Sequence, residues 1–255
     1  MKILLTNDDG LHAPGISVFN VAIAEMGEVW VVAPHQERSG ASHSLTMNEP
    51  IRVQAHGERR FSATGTPVDC VYLGIHNLLG STPDLVLSGI NKGANLGDDV
   101  LYSGTVGAAR EAALNDIPAL AVSLASETGP EDFHFDTAAA LAVDVISQMV
   151  NRSLPPGIFL NLNVPNRPLD TVAGIKVCGL GRRHYNPLVE RRHDPRNKPY
   201  YWIGGEPVGE GMQEGSDGWW IRKGFATLTP LGLDTTQADW VPRINDWTLS
   251  KREES

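Results

Sequence analysis

Two adjacent carboxylates, Asp8 and Asp9, stand in Leu4-Leu5-Thr6-Asn7-Asp8-Asp9-Gly10, between a short apolar run and a helical pattern. If the run is a buried strand of an open α/β sheet, the pair sits beyond its carboxyl end, where such sheets bind ligands. Two negative charges that close repel unless a cation or a proton comes between them. One Asp there could simply cap the next helix; a second leaves a charge to explain, and a hard divalent ion accounts for it. Two further oxygen donors follow later strand-like segments, Ser39 after the second and Asn91 after Asp84 to Ser88. Carboxylate, hydroxyl and amide oxygens without accompanying Cys or His suit Mg²⁺, Mn²⁺ or Ca²⁺ and not Zn²⁺. Without the ion each carboxylate would repel a phosphate charge 5 Å away by about 3 kcal/mol at an effective dielectric near 20, so metal and phosphate binding imply each other.

A phosphate site is suggested by Tyr102-Ser103-Gly104-Thr105-Val106-Gly107-Ala108-Ala109, a small-residue turn running into a helix. Free N–H groups and a partial positive charge at a helix N-terminus attract anions. The plainer alternative is that Ser103 is an N-cap and the small residues only permit close packing. The loop ahead, Gly89 to Asp99, is rich in Gly and Asn and lets backbone approach a ligand. It also holds a rival acidic pair, Asp98 and Asp99, which lies deeper in the loop and reads as structural.

The elements that must position these groups alternate. Lys2 to Thr6 reads as a strand, Pro14 to Met26 as a helix with an apolar stripe of Ile16, Phe19, Ile23 and Met26, and Glu28 to Ala33 as a strand. Strand-like pieces follow at 51–55 and 60–63, then a helix from Pro67 to Leu79 capped by Thr66 and a strand from Asp84 to Ser88. A helix from Gly104 to Asn115, a strand at 119–124, a helix from Asp136 to Val150 and a strand at 158–164 complete the series. The expected fold is a Rossmann-like, three-layer α/β/α core with a mostly parallel sheet, spanning residues 1–165. Residues 166–255 form a C-terminal extension. Within it, Arg182 to Lys198 holds six Lys or Arg with His184 and His193, followed by Tyr200-Tyr201-Trp202 and a Gly-rich stretch to Gly218. That segment reads as a β-hairpin or arm, either a solvated loop or an element packed on a partner subunit. A strand from Gly224 to Leu231 and a helix from Asp239 to Leu249 close the chain.

At 255 residues the chain can bury a substantial core, and its formal net charge of −9 argues against general affinity for nucleic acid. A small-molecule partner is expected. Its two cysteines, Cys70 and Cys178, have neither metal-ligand nor redox spacing, and no segment reads as a signal peptide or membrane span, so a cytoplasmic location is expected. A signalling receiver domain, which also opens on a strand and paired acids, would need an Asp after the third strand and a Lys after the fifth. Neither 55–57 nor 123–126 supplies one.

The stretch Leu5 to Gly10, Arg38-Ser39-Gly40-Ala41-Ser42, Gly65-Thr66-Pro67-Val68-Asp69-Cys70-Val71 and above all Ser88 to Ala109 resemble the survival protein SurE family of 5′/3′-nucleotidases. Asp194-Pro195-Arg196, Tyr201-Trp202-Ile203-Gly204 and Thr227-Leu228-Thr229-Pro230-Leu231 resemble its C-terminal half. The likeness covers nearly the whole chain, with Lys92, Ala94 and Gly218-Trp219-Trp220 as departures. It implies one divalent ion per subunit, Mg²⁺ or Mn²⁺, held by Asp8, Asp9, Ser39 and Asn91, with Asp8 and Asp9 catalytic. It implies a phosphate turn at Ser103, Gly104 and Thr105 with Asn95 beside it, the Thr105 hydroxyl serving phosphate rather than ion. It further implies removal of phosphate from nucleoside 5′- and 3′-monophosphates, with short polyphosphate as a further substrate, by a homodimer or homotetramer. The alternative of another class is a nucleotide-binding sensor without turnover.

Overall fold

The computed structural model describes all residues except 127–131, 153, 206, 209–212, 246 and 248–255. Nine strands form one sheet: β1 (Lys2–Thr6), β2 (Glu28–Pro34), β3 (Val53–Gly57), β4 (Arg60–Ala63), β5 (Leu85–Lys92), β6 (Ala119–Ala125), β7 (Ile158–Pro165), β8 (Ile175–Val177) and β13 (Ala226–Gly232). Their order is β3-β4-β2-β1-β5-β6-β7-β13-β8. The six strands from β4 to β7 are mutually parallel, while β3 and β13 run antiparallel to β4 and β7. The extension therefore completes the same sheet, with β13 and β8 lying beyond β7.

Four helices cover the two faces. Odd-numbered residues of β1, Ile3 and Leu5, pack with α1 (Pro14–Ile23) and α4 (Phe135–Val150); Leu4, on the other face, packs with α2 (Pro67–Leu73) and α3 (Gly104–Leu114). Alternation along each strand directs one apolar set to each layer, as a sheet buried on both sides requires. The sequence expectation of one helix from Pro67 to Leu79 meets a change of winding, since Gly74–Leu78 forms a π-helical turn. The start is as expected: Thr66 accepts from the Asp69 N–H, and the Asp69 carboxylate accepts from the Thr66 N–H, a reciprocal capping box.

Crossover hand is less regular. From β1 the chain steps through α1 to β2 in one direction; from β4 through α2 to β5, and from β5 through α3 to β6, it steps the other way on the opposite face. These three connections share one hand. The step from β6 to β7 continues in the same direction as its predecessor, yet α4 lies on the α1 face, so this crossover has the opposite hand and departs from the strong right-handed preference. The space beside α1 is filled by this departure, with Phe135, Ala138 and Ala142 of α4 joining the core formed by Ile16, Phe19 and Ile23.

The remaining elements belong to the extension: β9 (His184–Tyr185) pairs with β12 (Pro207–Val208), and β10 (Leu188–His193) pairs with β11 (Pro199–Gly204) as an antiparallel hairpin. Short helices α5 (Asp217–Arg222) and α6 (Trp240–Asn245) flank β13.

Candidate active site

The sheet reverses its direction of growth at β1, with β2 on one side and β5 on the other. That is a topological switch point, where loops diverge at the carboxyl edge and leave a crevice. Asp8 and Asp9 follow β1, the Ser39 loop follows β2, and Asn91 is the penultimate residue of β5. The β5 end is irregular: β1 pairs with β5 as far as Thr6 and Ser88, and the β5 pairing with β6 skips from Ser88 to Asn91. This interruption re-aims Asn91, the usual effect of a bulge beside a site.

Asp8 is buried against the N-terminus of α3. Its Oδ1 accepts from the Thr105 hydroxyl at 2.5 Å and its Oδ2 from the Thr105 N–H at 3.2 Å. Its carbonyl accepts from the Arg38 N–H at 2.8 Å, which ties the Ser39 loop to the acidic turn. Asp9 Oδ2 accepts from the Lys92 N–H at 3.0 Å, linking the turn to the β5 end. Gly104 makes the approach to Asp8 feasible, because a Cβ there would lie 3.1 Å from both Cβ and Oδ2 of Asp8. A Cβ at Gly107 would strike the Ser42 carbonyl oxygen at 2.4 Å, so the loop after β2 also lies directly on α3.

Burial governs the charge state of the pair. Desolvation raises the Asp8 carboxyl against the opposing Thr105 bonds. Asp9 is raised from 3.8 to about 6, first by burial and then by the neighbouring charges of Asp8 and Glu37, with the Lys92 N–H opposing. Glu37 was not anticipated from the sequence. Its charge acts on both aspartates and its Oε1 accepts from the Ser39 hydroxyl at 2.6 Å. Only its place two residues before Ser39 could have signalled it, and that spacing is common in loops.

The donor set fits a hard divalent ion. Asn91 donates its Nδ2 to the Gly93 carbonyl at 2.9 Å, which orients the amide and leaves Oδ1 outside that bond as an oxygen donor. Asp9 Oδ1 and the lone pairs of Ser39 Oγ are likewise not consumed by the bonds described. No group of three His, Cys, Asp or Glu with metal-ligand geometry occurs among the described residues, so a site here depends on neutral oxygen donors beside the two acids.

The phosphate turn is more occupied than expected. Ser103 accepts from the Val106 N–H at 3.1 Å and so acts as the N-cap of α3. Thr105 directs both its hydroxyl and its N–H to Asp8, a contact that fixes the carboxylate and that the sequence did not announce. Asn95 is buried in an amide network: its N–H donates to Asn163 Oδ1, its Nδ2 to Ser123 Oγ, and its carbonyl accepts from Asn161 and Asn163. One of the two hydrogens of its side-chain amide is thereby used in holding the loop. Among the described residues the Gly104 N–H has no protein acceptor. It is a free donor at the positive end of α3, adjacent to Asp8.

Asp98 and Asp99, the rival pair, are engaged by the base of the arm. Asp98 receives Arg182 Nε at 3.2 Å and the Arg183 N–H at 3.0 Å; Asp99 receives Arg183 Nη1 at 2.6 Å and the Tyr185 hydroxyl at 2.8 Å. Their charges are spent on holding the extension to the Gly-rich loop.

A doubly wound α/β sheet with an acidic pair held at the switch point beside a helix N-terminus places the chain among open-sheet α/β proteins, whose ligands bind in such a crevice. A family profile described as Survival protein SurE matches residues 3–187. The chain is 46% identical over 251 residues to the 5′-nucleotidase SurE of Geobacter sulfurreducens, covering 98% of this chain and 95% of that one. It is 45% identical over 251 residues to the 5′-nucleotidase SurE of Geobacter metallireducens, covering 98% and 99%. The crystal structure of the SurE protein from Aquifex aeolicus superposes with a TM-score of 0.84 at 40% identity, covering 96% and 98% of the two chains. This chain belongs to the SurE family.

Proposed function

We propose that the chain is a divalent-metal-dependent phosphomonoesterase acting on nucleoside 5′- and 3′-monophosphates, with short-chain polyphosphate as a further substrate. The observation that carries this reading is the clamping of Asp8 by Thr105 at the N-terminus of α3, with Asp9 held by Lys92 beside it. Two immobilised carboxylates and a free Gly104 N–H in one crevice suit a phosphate brought in together with a cation. The nucleotide specificity rests on the relatives named 5′-nucleotidase.

Asp8, Asp9, Ser39 and Asn91 would hold the ion, Mg²⁺ or Mn²⁺. When bound, it would neutralise the two carboxylates and polarise a phosphoryl oxygen. The protein's own contributions are orientation and charge. Thr105 locks Asp8 in one rotamer, and Lys92 does the same for Asp9 through its backbone. The Gly104 N–H and the α3 dipole meet a phosphoryl oxygen without reorganising during reaction. Glu37 orients Ser39 and adds negative charge that keeps an anion out until a cation is present.

The same reading assigns the hairpin to subunit association. Every residue of β10 and β11 is exposed, including Val189, Tyr201, Trp202 and Ile203. An isolated two-stranded hairpin is marginal in water, and a partner copy would cover this apolar surface. No helix among the described residues is long and apolar enough to cross a membrane.

The test is turnover of AMP and 3′-AMP by purified chain with added Mn²⁺, repeated after exhaustive chelation. Phosphate release that vanishes with the metal and returns with it supports the reading. Tight nucleotide binding without turnover would make the chain a sensor.

A further inference from the structure

The residue immediately before the α3 cap is Tyr102, which is 68% exposed, and Leu101 before it is 58% exposed. Their backbone is not free in the same way. The Tyr102 N–H donates to the Asp99 carbonyl at 3.0 Å, the Tyr102 carbonyl accepts from the Ser42 N–H at 2.9 Å, and the Leu101 carbonyl accepts from Ser42 Oγ at 2.6 Å. Asp99 is itself gripped by Arg183 and Tyr185. The ring thus projects from a backbone fixed on three sides, while among the described residues neither the ring nor its hydroxyl has a partner. An exposed aromatic on a rigid support presents a flat face at little entropic cost.

Position gives that face a use. Tyr102 is two residues from Gly104, so their Cα atoms are at most about 7.6 Å apart. A Cβ on Gly104 would lie 3.1 Å from Asp8 Oδ2. The platform therefore stands about one sugar's width from the crevice that would hold the phosphate. We infer that Tyr102 is the surface on which the base of a bound nucleotide stacks, with Leu101 extending its apolar edge; this rests on the nucleotidase reading. Stacking uses the face of the base, so it ranks substrates by ring area, purines ahead of pyrimidines, without reading hydrogen-bonding edges.

The test compares a nucleotide with the same phosphate ester lacking a base. For the native chain, Tyr102→Ala and Tyr102→Phe, kcat/KM is measured for AMP and for ribose 5-phosphate, with binding of a non-hydrolysable phosphonate analogue of AMP by calorimetry. A stacked base contributes a factor of roughly 5 to 150. Tyr102→Ala should cut the AMP to ribose 5-phosphate ratio by that factor, mainly through KM, and weaken the phosphonate equally, while Tyr102→Phe retains both. An unchanged ratio and unchanged phosphonate affinity overturn the inference, including the case where Tyr102→Ala instead alters the mass seen by light scattering, which would make the ring a subunit contact. If the native chain turns over neither ester, the phosphatase reading fails, and the phosphonate arm still decides stacking.

Discussion

If Asp9 is a metal ligand, its displaced titration should govern the pH dependence of metal affinity. Burial and the charges of Asp8 and Glu37 raise its carboxyl from 3.8 to about 6. A divalent ion must displace that proton, so apparent affinity falls by the factor 1 + 10^(6 − pH). Between pH 8 and pH 5 the loss is about tenfold, about 1.4 kcal/mol. A carboxyl titrating at its ordinary value would lose almost nothing over that range. Asp8, also raised, steepens the loss further. The linkage has a second face in the metal-free protein. A carboxyl raised in the folded state stabilises the fold below its unfolded value, and that contribution disappears as pH climbs through the folded value near 6. It amounts to at most about 3 kcal/mol, reduced by the solvent that reaches Asp9. Metal-free protein should therefore lose melting temperature between pH 4 and pH 7, and Mn²⁺ should restore it at the upper end. Calorimetric titration with Mn²⁺ in two buffers of different ionisation enthalpy gives affinity and proton release together. A dissociation constant flat from pH 5 to pH 8, with no protons released, would refute the reasoning.

Asp8→Asn and Asp9→Asn should each lower turnover more than 100-fold, roughly 3 kcal/mol of barrier, and exceed the effect of Ser39→Ala; an active Asp8→Asn beside an inactive Asp98→Asn would reverse the choice of pair. Thr105→Val removes the hydroxyl bond to Asp8, so it should weaken metal affinity together with turnover, and Mn²⁺ titration that matches the native chain would return that hydroxyl to the phosphate. Replacing residues 189–200 by a short Gly-Ser bridge should shift light-scattering mass to a smaller species; an unaltered mass would separate the hairpin from assembly.

The core was legible because its apolar periodicities are long and its boundaries carry ordinary signals: Pro14 opens α1, Thr66 caps α2 and Ser103 caps α3. The convergence of Asp8, Asp9, Ser39 and Asn91 on one sheet edge followed from parallel strands alone. Three features did not follow. The hand of the α4 crossover is set by what fills the space beside α1, which no local pattern encodes. The role of Thr105 depends on the 3.1 Å gap that Gly104 leaves next to Asp8, a tertiary distance. Glu37 enters through a loop lacking periodicity.

The switch point also imposes an order in time. Asp8 finds its partner only at Thr105, 97 residues onward. At about 5 to 20 residues per second, the ribosome delivers that partner roughly 5 to 20 s after the aspartates have been made. Until then the first strand, its helix and the second strand can pair, but the acidic turn lacks the helix end that clamps it. Asn163, which pins the Asn95 loop, arrives later still. Nascent chains therefore pass most of their synthesis without an organised site, and the capacity to cleave nucleotides would be switched on only as the third layer of the sandwich closes.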